Sequence, residues 1–90
     1  MVDEQSRPAL ARGVRLQKDR VNGEPMLLYP EGATYLSETA YEVVSRCDGQ
    51  TAVAAIISIL AEEYEASIDT LREDVLSCLA ELNQRKLLVV

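Results

Sequence analysis

The chain is predicted to fold as a small α+β domain in which three short antiparallel strands precede three helices. Up to residue 36, short runs alternate apolar and polar side chains, which is the period of a half-buried strand. From residue 37 onward, apolar residues recur every three or four positions, as in amphipathic helices. With 90 residues, 48% of them hydrophobic, the chain can bury a single, mostly aliphatic core.

The N-terminal third is predicted to hold an arm and three strands. Residues 1–12 are polar and contain Pro8, so we expect a flexible N-terminal arm before a folded domain that covers residues 13–90. The alternation of apolar and polar residues in Val14-Arg15-Leu16-Gln17-Lys18 predicts the first strand. Asn22-Gly23 tolerates positive φ and favours a hairpin turn. Pro30-Glu31-Gly32 then predicts a second turn. The three predicted strands cover residues 14–18, 25–29 and 33–36.

Three predicted helices follow the strands. Ser37 can cap the first, which extends to Cys47, and Thr51 can cap the second, which extends to about Tyr64. Between them, Asp48 can bond its own backbone and Gly49 can adopt positive φ, which predicts a tight helix-turn-helix corner. The third helix begins near Ser67. Its core stripe is predicted to be Ile68, Leu71, Val75, Cys78, Leu79 and Leu82.

The C-terminal segment and the order of elements complete the fold prediction. Arg85 and Lys86 lie near the C-terminus of the third helix, where positive charge is favoured. Residues 87–90 are predicted to form a packed last turn or a short strand. Three short strands cannot cover their own apolar face, so the helices must pack against them. The resulting architecture resembles a winged helix.

Composition argues against several classes of function. The net charge is −6 and there is no histidine, which is the commonest general base and metal ligand. The two cysteines are far apart, and the four glycines form no phosphate-binding loop. We therefore expect no catalytic residue, metal or cofactor. Because neither a signal peptide nor a membrane span is evident, we expect a cytoplasmic protein with reduced cysteines.

Three functions are compatible with a small, acidic, helical domain: DNA binding, acyl carriage and peptide binding. DNA binding through the third helix is disfavoured, because that helix is rich in acidic residues that phosphate would repel. An acyl-carrier protein would need an Asp-Ser-Leu attachment sequence, which does not occur. A peptide could instead add as a strand to the open edge of the third strand, unless the domain's own arm covers that edge. An open edge would also permit a homodimer.

Several short motifs, in order along the chain, resemble the PqqD family of pyrroloquinoline quinone (PQQ) biosynthesis. The strongest are Leu36-Ser37-Glu38-Thr39-Ala40 and Cys47-Asp48-Gly49. The resemblance covers about residues 8–88. Family members would be expected to have asparagine at Ser37, isoleucine and leucine at Val43-Val44, and a glycine near Lys86. The other matching residues are Leu28-Tyr29-Pro30-Glu31-Gly32, Ile56, Leu60, Tyr64, Asp74-Val75, Leu79 and Leu82.

The resemblance implies a peptide chaperone related to the recognition domains of other ribosomal-peptide modification pathways. Such a chaperone binds the precursor peptide PqqA and presents it to the radical SAM enzyme PqqE. It implies that the peptide adds as a strand beside the third strand, against the third helix. The strand residues implied are Ala33, Thr34, Tyr35 and Leu36, and the helix residues implied are Leu71, Arg72, Val75, Leu76 and Leu79. Leu76 lies off the core stripe, so a partner would account for its exposure.

Overall fold

The computed structural model describes residues 2–90 and confirms an α+β fold in which antiparallel strands and three helices share one core. The strands are β1 (Ala9–Leu10), β2 (Arg15–Lys18), β3 (Pro25–Tyr29), β4 (Gly32–Tyr35) and β5 (Leu88–Val89). The helices are α1 (Glu38–Val44), α2 (Val53–Tyr64) and α3 (Ile68–Gln84). No helix within residues 2–90 is long and apolar enough to cross a membrane.

The three predicted strands form one antiparallel sheet in the order β2-β3-β4. Leu27 of the central strand lies opposite Leu16 on one side and Thr34 on the other. Since directly opposed residues share a face of the sheet, these three side chains point the same way. Leu27 has no exposed surface, so this face is the one that packs on the helices.

The core consists of aliphatic residues from the sheet and from all three helices. Most of the predicted helical stripes are buried, as their periodicity indicated. Cys78 was predicted in the core stripe of the third helix but is only half-buried. Tyr64, which the periodicity of the second helix also placed on its apolar face, and Ile68 are further exceptions, with 46% and 44% of their surface exposed. Tyr64 is the last residue of α2 and Ile68 the first of α3, so both flank a turn instead of facing a neighbouring helix. The buried helical residues are Val43, Val44, Val53, Ile56, Ile57, Leu60, Leu71, Val75, Leu79 and Leu82.

The helix-turn-helix corner confirms some predicted caps and corrects others. Ser37 caps α1, where its hydroxyl accepts a hydrogen bond from the Ala40 N–H at 3.1 Å. Gly49 has φ of +78°, as predicted. Thr51 does not cap α2, because Ala52 occupies that position and Asp48 Oδ1 instead accepts from the Thr51 N–H at 2.8 Å. Ser67 occupies the N-cap position of α3 without a side-chain capping bond.

The N-terminal arm replaces the missing side-chain cap of α2. The carbonyl oxygens of Ser6 and Glu4 accept hydrogen bonds from the N–H groups of Val53 and Ala54, at 2.9 and 3.0 Å. These are donors that a helix leaves unpaired in its first turn. Pro8 is buried. The flexibility expected of an arm at residues 1–12 stays a prediction, and in the structure its described part forms hydrogen bonds with α2 and pairs with β5.

Candidate functional site: a strand edge beside a helix

The outer edge of β4 presents backbone groups that no other strand uses. The Leu36 N–H donates to the Pro25 carbonyl at 2.9 Å, which sets the phase of the β3–β4 ladder. Because hydrogen-bonded and non-hydrogen-bonded pairs alternate in antiparallel strands, Thr34 also bonds toward β3. The N–H and C=O groups of Ala33 and Tyr35 therefore point away from the sheet. Within residues 2–90, no strand pairs with this edge.

The domain's own arm, which was the alternative occupant of this edge, lies elsewhere. Its strand β1 pairs with β5, with Ala9 opposite Val89 and Leu10 opposite Leu88. Residue 48 also forms a bridge with Ala9. The described part of the arm thus pairs with β5 and with the corner between α1 and α2, and none of its residues pairs with β4. The edge of β4 is left open between residues 32 and 36.

Helix α3 runs past this edge. At one end, Arg85 Nη1 donates to Thr34 Oγ1 and Arg85 Nη2 to the Tyr29 hydroxyl, both at 3.3 Å. At the other end, a groove of about 260 Å³ separates α3 from the start of α1. From α3, Asp74 and Cys78 line this groove. The residues that line it from the α1 side are Ser37, Thr39, Ala40 and Val43.

The strand residues implied by the family resemblance are brought together at the edge. Ala33 and Tyr35 are exposed, whereas Thr34 and Leu36 are half-buried on the face toward the helices. Tyr35 donates its hydroxyl proton to Asp19 Oδ2 at 2.7 Å. This hydrogen bond lowers the pKa of Asp19 and raises the pKa of Tyr35. The side chain of Tyr35 therefore lies across the outer face of the sheet.

The helix residues implied by the resemblance do not face this edge. Leu71, Val75 and Leu79 are core residues with at most 5% of their surface exposed, which leaves no area for a guest peptide. Arg72 pairs with Glu4 of the arm at 3.2 Å and with Asp69 at 2.7 Å. Leu76 lies one turn further along the same face and packs against the core. Of the five helix residues implied, Arg72 and Leu76 are the two that keep exposed surface, so contact of this helix with a peptide stays a prediction.

A different stripe of α3 faces the start of α1, which follows β4 in the chain, and ends near Thr34 of β4. Asp74 and Cys78 line the groove, and Arg85 reaches Thr34. Glu81 lies between them at helical spacing, and its charge raises the pKa of the Cys78 thiol in addition to the larger effect of burial. Asp74 and Leu76 differ by about 200° around the helix, since each residue turns by about 100°. Periodicity indicated the core stripe but not which flank lines this groove.

The two cysteines and the possible metal ligands of the described residues were the remaining candidates for reactive chemistry. Both cysteines are free, and burial raises the pKa of Cys47 to about 12. A thiol with such a pKa is a poor nucleophile near neutral pH. Within residues 2–90, no group of three or more histidine, cysteine, aspartate or glutamate side chains is placed to hold a metal ion.

Comparison with known protein families identifies the chain. Residues 24–88 match the family model described as "Coenzyme PQQ synthesis protein D (PqqD)". The chain belongs to the PqqD family. A "PqqA binding protein" of Xanthomonas oryzae pv. oryzae is 42% identical over 83 residues, which cover 92% of this chain and 90% of that protein. Another PqqD-family relative, the "PqqA binding protein" of Rhizobium meliloti, is 37% identical and covers 90% and 83% of the two chains.

Two solved PqqD structures have similar folds. The solution NMR structure of the PqqD truncation of Methylobacterium extorquens PqqCD matches with a TM-score of 0.87 and 34% identity. It covers 100% of this chain and 96% of that chain, and it represents a functional, stand-alone recognition element for ribosomally synthesised and post-translationally modified peptides (RiPPs). The crystal structure of PqqD from Xanthomonas campestris matches with a TM-score of 0.64, 37% identity and complete coverage of both chains.

Proposed function

We propose that this protein is a peptide chaperone of PQQ biosynthesis that binds the precursor peptide PqqA by strand addition to β4. The observation that carries the proposal is the open edge of β4, where the N–H and C=O groups of Ala33 and Tyr35 point outward beside α3. Relatives that match almost the whole chain are named for PqqA binding. A guest strand here would gain main-chain hydrogen bonds from β4 and side-chain contacts from the groove.

The function proposed for the complex is delivery without bond chemistry. A domain that binds PqqA and docks on the radical SAM enzyme PqqE would hold the substrate near the active site. This tethering raises the effective concentration of the peptide, to the millimolar range for short flexible links. The proposed location is the cytoplasm, where the pathway's peptide and enzyme would meet.

The side chains on α3 set the contacts proposed for the guest. Its apolar side chains would enter the groove between α1 and α3, against Ala40, Val43 and Cys78. This assignment replaces Leu71, Val75 and Leu79, which are buried. It also moves the contact from the face of Arg72 and Leu76 to the opposite flank of the helix. Ala33, Thr34, Tyr35 and Leu36 remain the proposed strand contacts.

Amide hydrogen exchange tests strand addition directly. In the free protein, the N–H groups of Ala33 and Tyr35 have no described acceptor, so they should exchange rapidly. Addition of a synthetic PqqA peptide should protect both. The matched controls are Leu16 and Lys18, whose N–H groups point outward from the opposite edge of the sheet and should keep exchanging rapidly. PqqA binding without protection of Ala33 and Tyr35 would rule out strand addition at β4.

A further inference from the structure

A cleft of about 420 Å³ opens at the end of the sheet where β3 turns into β4. It lies between that turn, Pro30 and Glu31, and the C-terminal end of α3. Its floor includes the apolar side chains of Val14 and Leu87. Three cations, Arg12, Arg85 and Lys86, line it together with the single carboxylate of Glu31, which leaves an excess of positive charge.

The cations of the cleft have no carboxylate partners among residues 2–90. The described ion pairs of the protein involve Arg46 and Arg72 and lie elsewhere. Arg85 contacts only neutral oxygens, those of Thr34 and Tyr29, at 3.3 Å. In a chain with a net charge of −6, this concentration of unpaired positive charge favours an anionic partner.

Lys86 provides a second, independent observation. Its φ is +63°, a left-handed conformation that costs an L-residue about 1–2 kcal/mol and that glycine adopts freely. The position ends α3, and its N–H donates to the Asn83 carbonyl at 3.0 Å. A lysine held there places an ammonium group at the cleft at the expense of backbone strain. The conformation itself belongs to the helix end, where the Leu87 N–H donates to the Leu82 carbonyl at 2.9 Å, and Glu65 ends α2 with a similar φ of +51°. What distinguishes Lys86 is that, unlike a glycine, it adds a positive charge to the cleft.

The cleft is continuous with the proposed peptide site. Arg85 lines the cleft and also contacts Thr34 of β4. A guest strand paired along β4 would therefore extend from the apolar groove near Ser37 to the cationic cleft near Gly32. We propose that Arg12, Arg85 and Lys86 bind a carboxylate of the guest peptide. This contact would fix the register and direction of the guest strand, which backbone pairing alone does not specify.

This inference rests on the proposed function, and a double-mutant cycle separates the two. A synthetic PqqA peptide is titrated calorimetrically into the wild type and into Arg85→Gln, then replaced by variants in which each Glu or Asp becomes Gln or Asn. A further peptide carries an amidated C-terminus. We expect Arg85→Gln to weaken binding about tenfold with the unmodified peptide. Arg85→Gln should have almost no effect on the affinity of the one peptide variant that lacks the bound carboxylate.

The amidated peptide shows whether that carboxylate is a side chain or the chain terminus. Arg20→Gln is the matched control, since it removes one positive charge at the far end of the β2–β3 hairpin and should leave affinity unchanged. Failure of the wild type to bind PqqA would overturn the proposed function and this inference together. If the wild type binds PqqA but Arg85→Gln changes the affinity of every peptide by the same factor, this inference alone is overturned.

Lys86→Gly distinguishes a ligand contact from a structural one. Glycine relieves the left-handed strain, so the thermal unfolding temperature should stay the same or rise. Binding of unmodified PqqA should nevertheless weaken about threefold to tenfold. If affinity is unchanged, or if it falls only in proportion to a loss of folded protein, the cleft does not bind the guest.

Discussion

The two outer edges of the three-stranded sheet are alike in backbone and different in surroundings. On β2, the Asp19 N–H donates to the Glu24 carbonyl at 2.7 Å, which sets the phase of the β2–β3 ladder. Because hydrogen-bonded and non-hydrogen-bonded pairs alternate, the backbone N–H and C=O groups of Leu16 and Lys18 point outward. On β4, the backbone N–H and C=O groups of Ala33 and Tyr35 point outward in the same way. By their backbone hydrogen-bonding groups alone, both edges could pair with another strand.

Side chains and neighbouring elements separate the two edges. Strand β2 carries Arg15 and Lys18, both exposed, and charged side chains on an edge discourage pairing with another chain. The Lys18 ammonium also lies 5.2 Å from the centre of the Tyr41 ring. Strand β4 carries no charged residue and has α3 beside it. The surroundings of the two edges, and not their backbones, therefore favour β4 as the proposed peptide site.

The largest expected effect comes from proline at the edge of β4. Ala33→Pro removes an outward N–H and places the proline ring where a guest carbonyl would approach. It leaves the bonds between β3 and β4 intact, since Ala33 does not donate to β3. We expect PqqA affinity to fall by about 2–3 kcal/mol, the loss of a hydrogen bond plus a steric clash at a desolvated contact. Calorimetry measures the affinity, and circular dichroism checks the fold.

Lys18→Pro is the matched control at the edge of β2. It also removes an outward N–H, so any general weakening of the sheet should appear in both variants. Its affinity for PqqA should equal that of the wild type. Loss of binding in Lys18→Pro but not in Ala33→Pro would reverse the comparison and move the site to β2.

A smaller effect is expected from the helix that flanks β4. Cys78→Asp puts a carboxylate into the groove between α1 and α3 and should weaken PqqA binding by about 1–2 kcal/mol. Leu76→Asp changes the opposite flank and should lower stability without changing the affinity of the folded protein. Urea unfolding and calorimetry on both variants separate the two effects. The reverse result would restore the helix contacts implied by the family resemblance.

The smallest expected effect concerns the contact that joins the two edges. The Tyr35 hydroxyl on β4 donates to Asp19, which follows β2, and this is the main reason that the pKa of Asp19 is lowered. A carboxyl group whose pKa is lower in the folded than in the unfolded chain stabilises the fold at pH values above its unfolded-state pKa. That stabilisation is lost as the pH falls through the folded-state pKa. Tyr35→Phe should therefore raise the pKa of Asp19 and make stability less sensitive to pH below about 4.

Carbon-detected NMR titration of the Asp19 carboxyl measures this shift. Tyr29→Phe serves as the control, because the Tyr29 hydroxyl contacts Arg85 instead of Asp19. An unchanged pKa of Asp19 in Tyr35→Phe would mean that the Tyr35 hydroxyl is not its donor in solution. PqqA affinity should change little in Tyr35→Phe, because the outward N–H and C=O groups of Tyr35 do not depend on its hydroxyl.

The sequence by itself determined most of the local structure. Alternation and turn residues predicted β2, β3 and β4 to within one residue at either end, and periodicity predicted the buried stripe of α3 that includes Val75 and Leu79. These features depend on contacts between near neighbours and on a single division into buried and exposed faces. The ordered motifs also predicted the PqqD family, which the family match confirms.

The tertiary structure alone decided three things. It placed the arm on α2 and β5, because the unpaired N–H groups of Val53 and Ala54 need acceptors that are distant in sequence. It chose Asp74 and Cys78 as the flank of α3 that lines the groove beside the start of α1, since the rotation of a helix about its axis depends on what packs against it. It also joined Arg12 to Arg85 and Lys86 in one cleft, a proximity across more than seventy residues that no local pattern records.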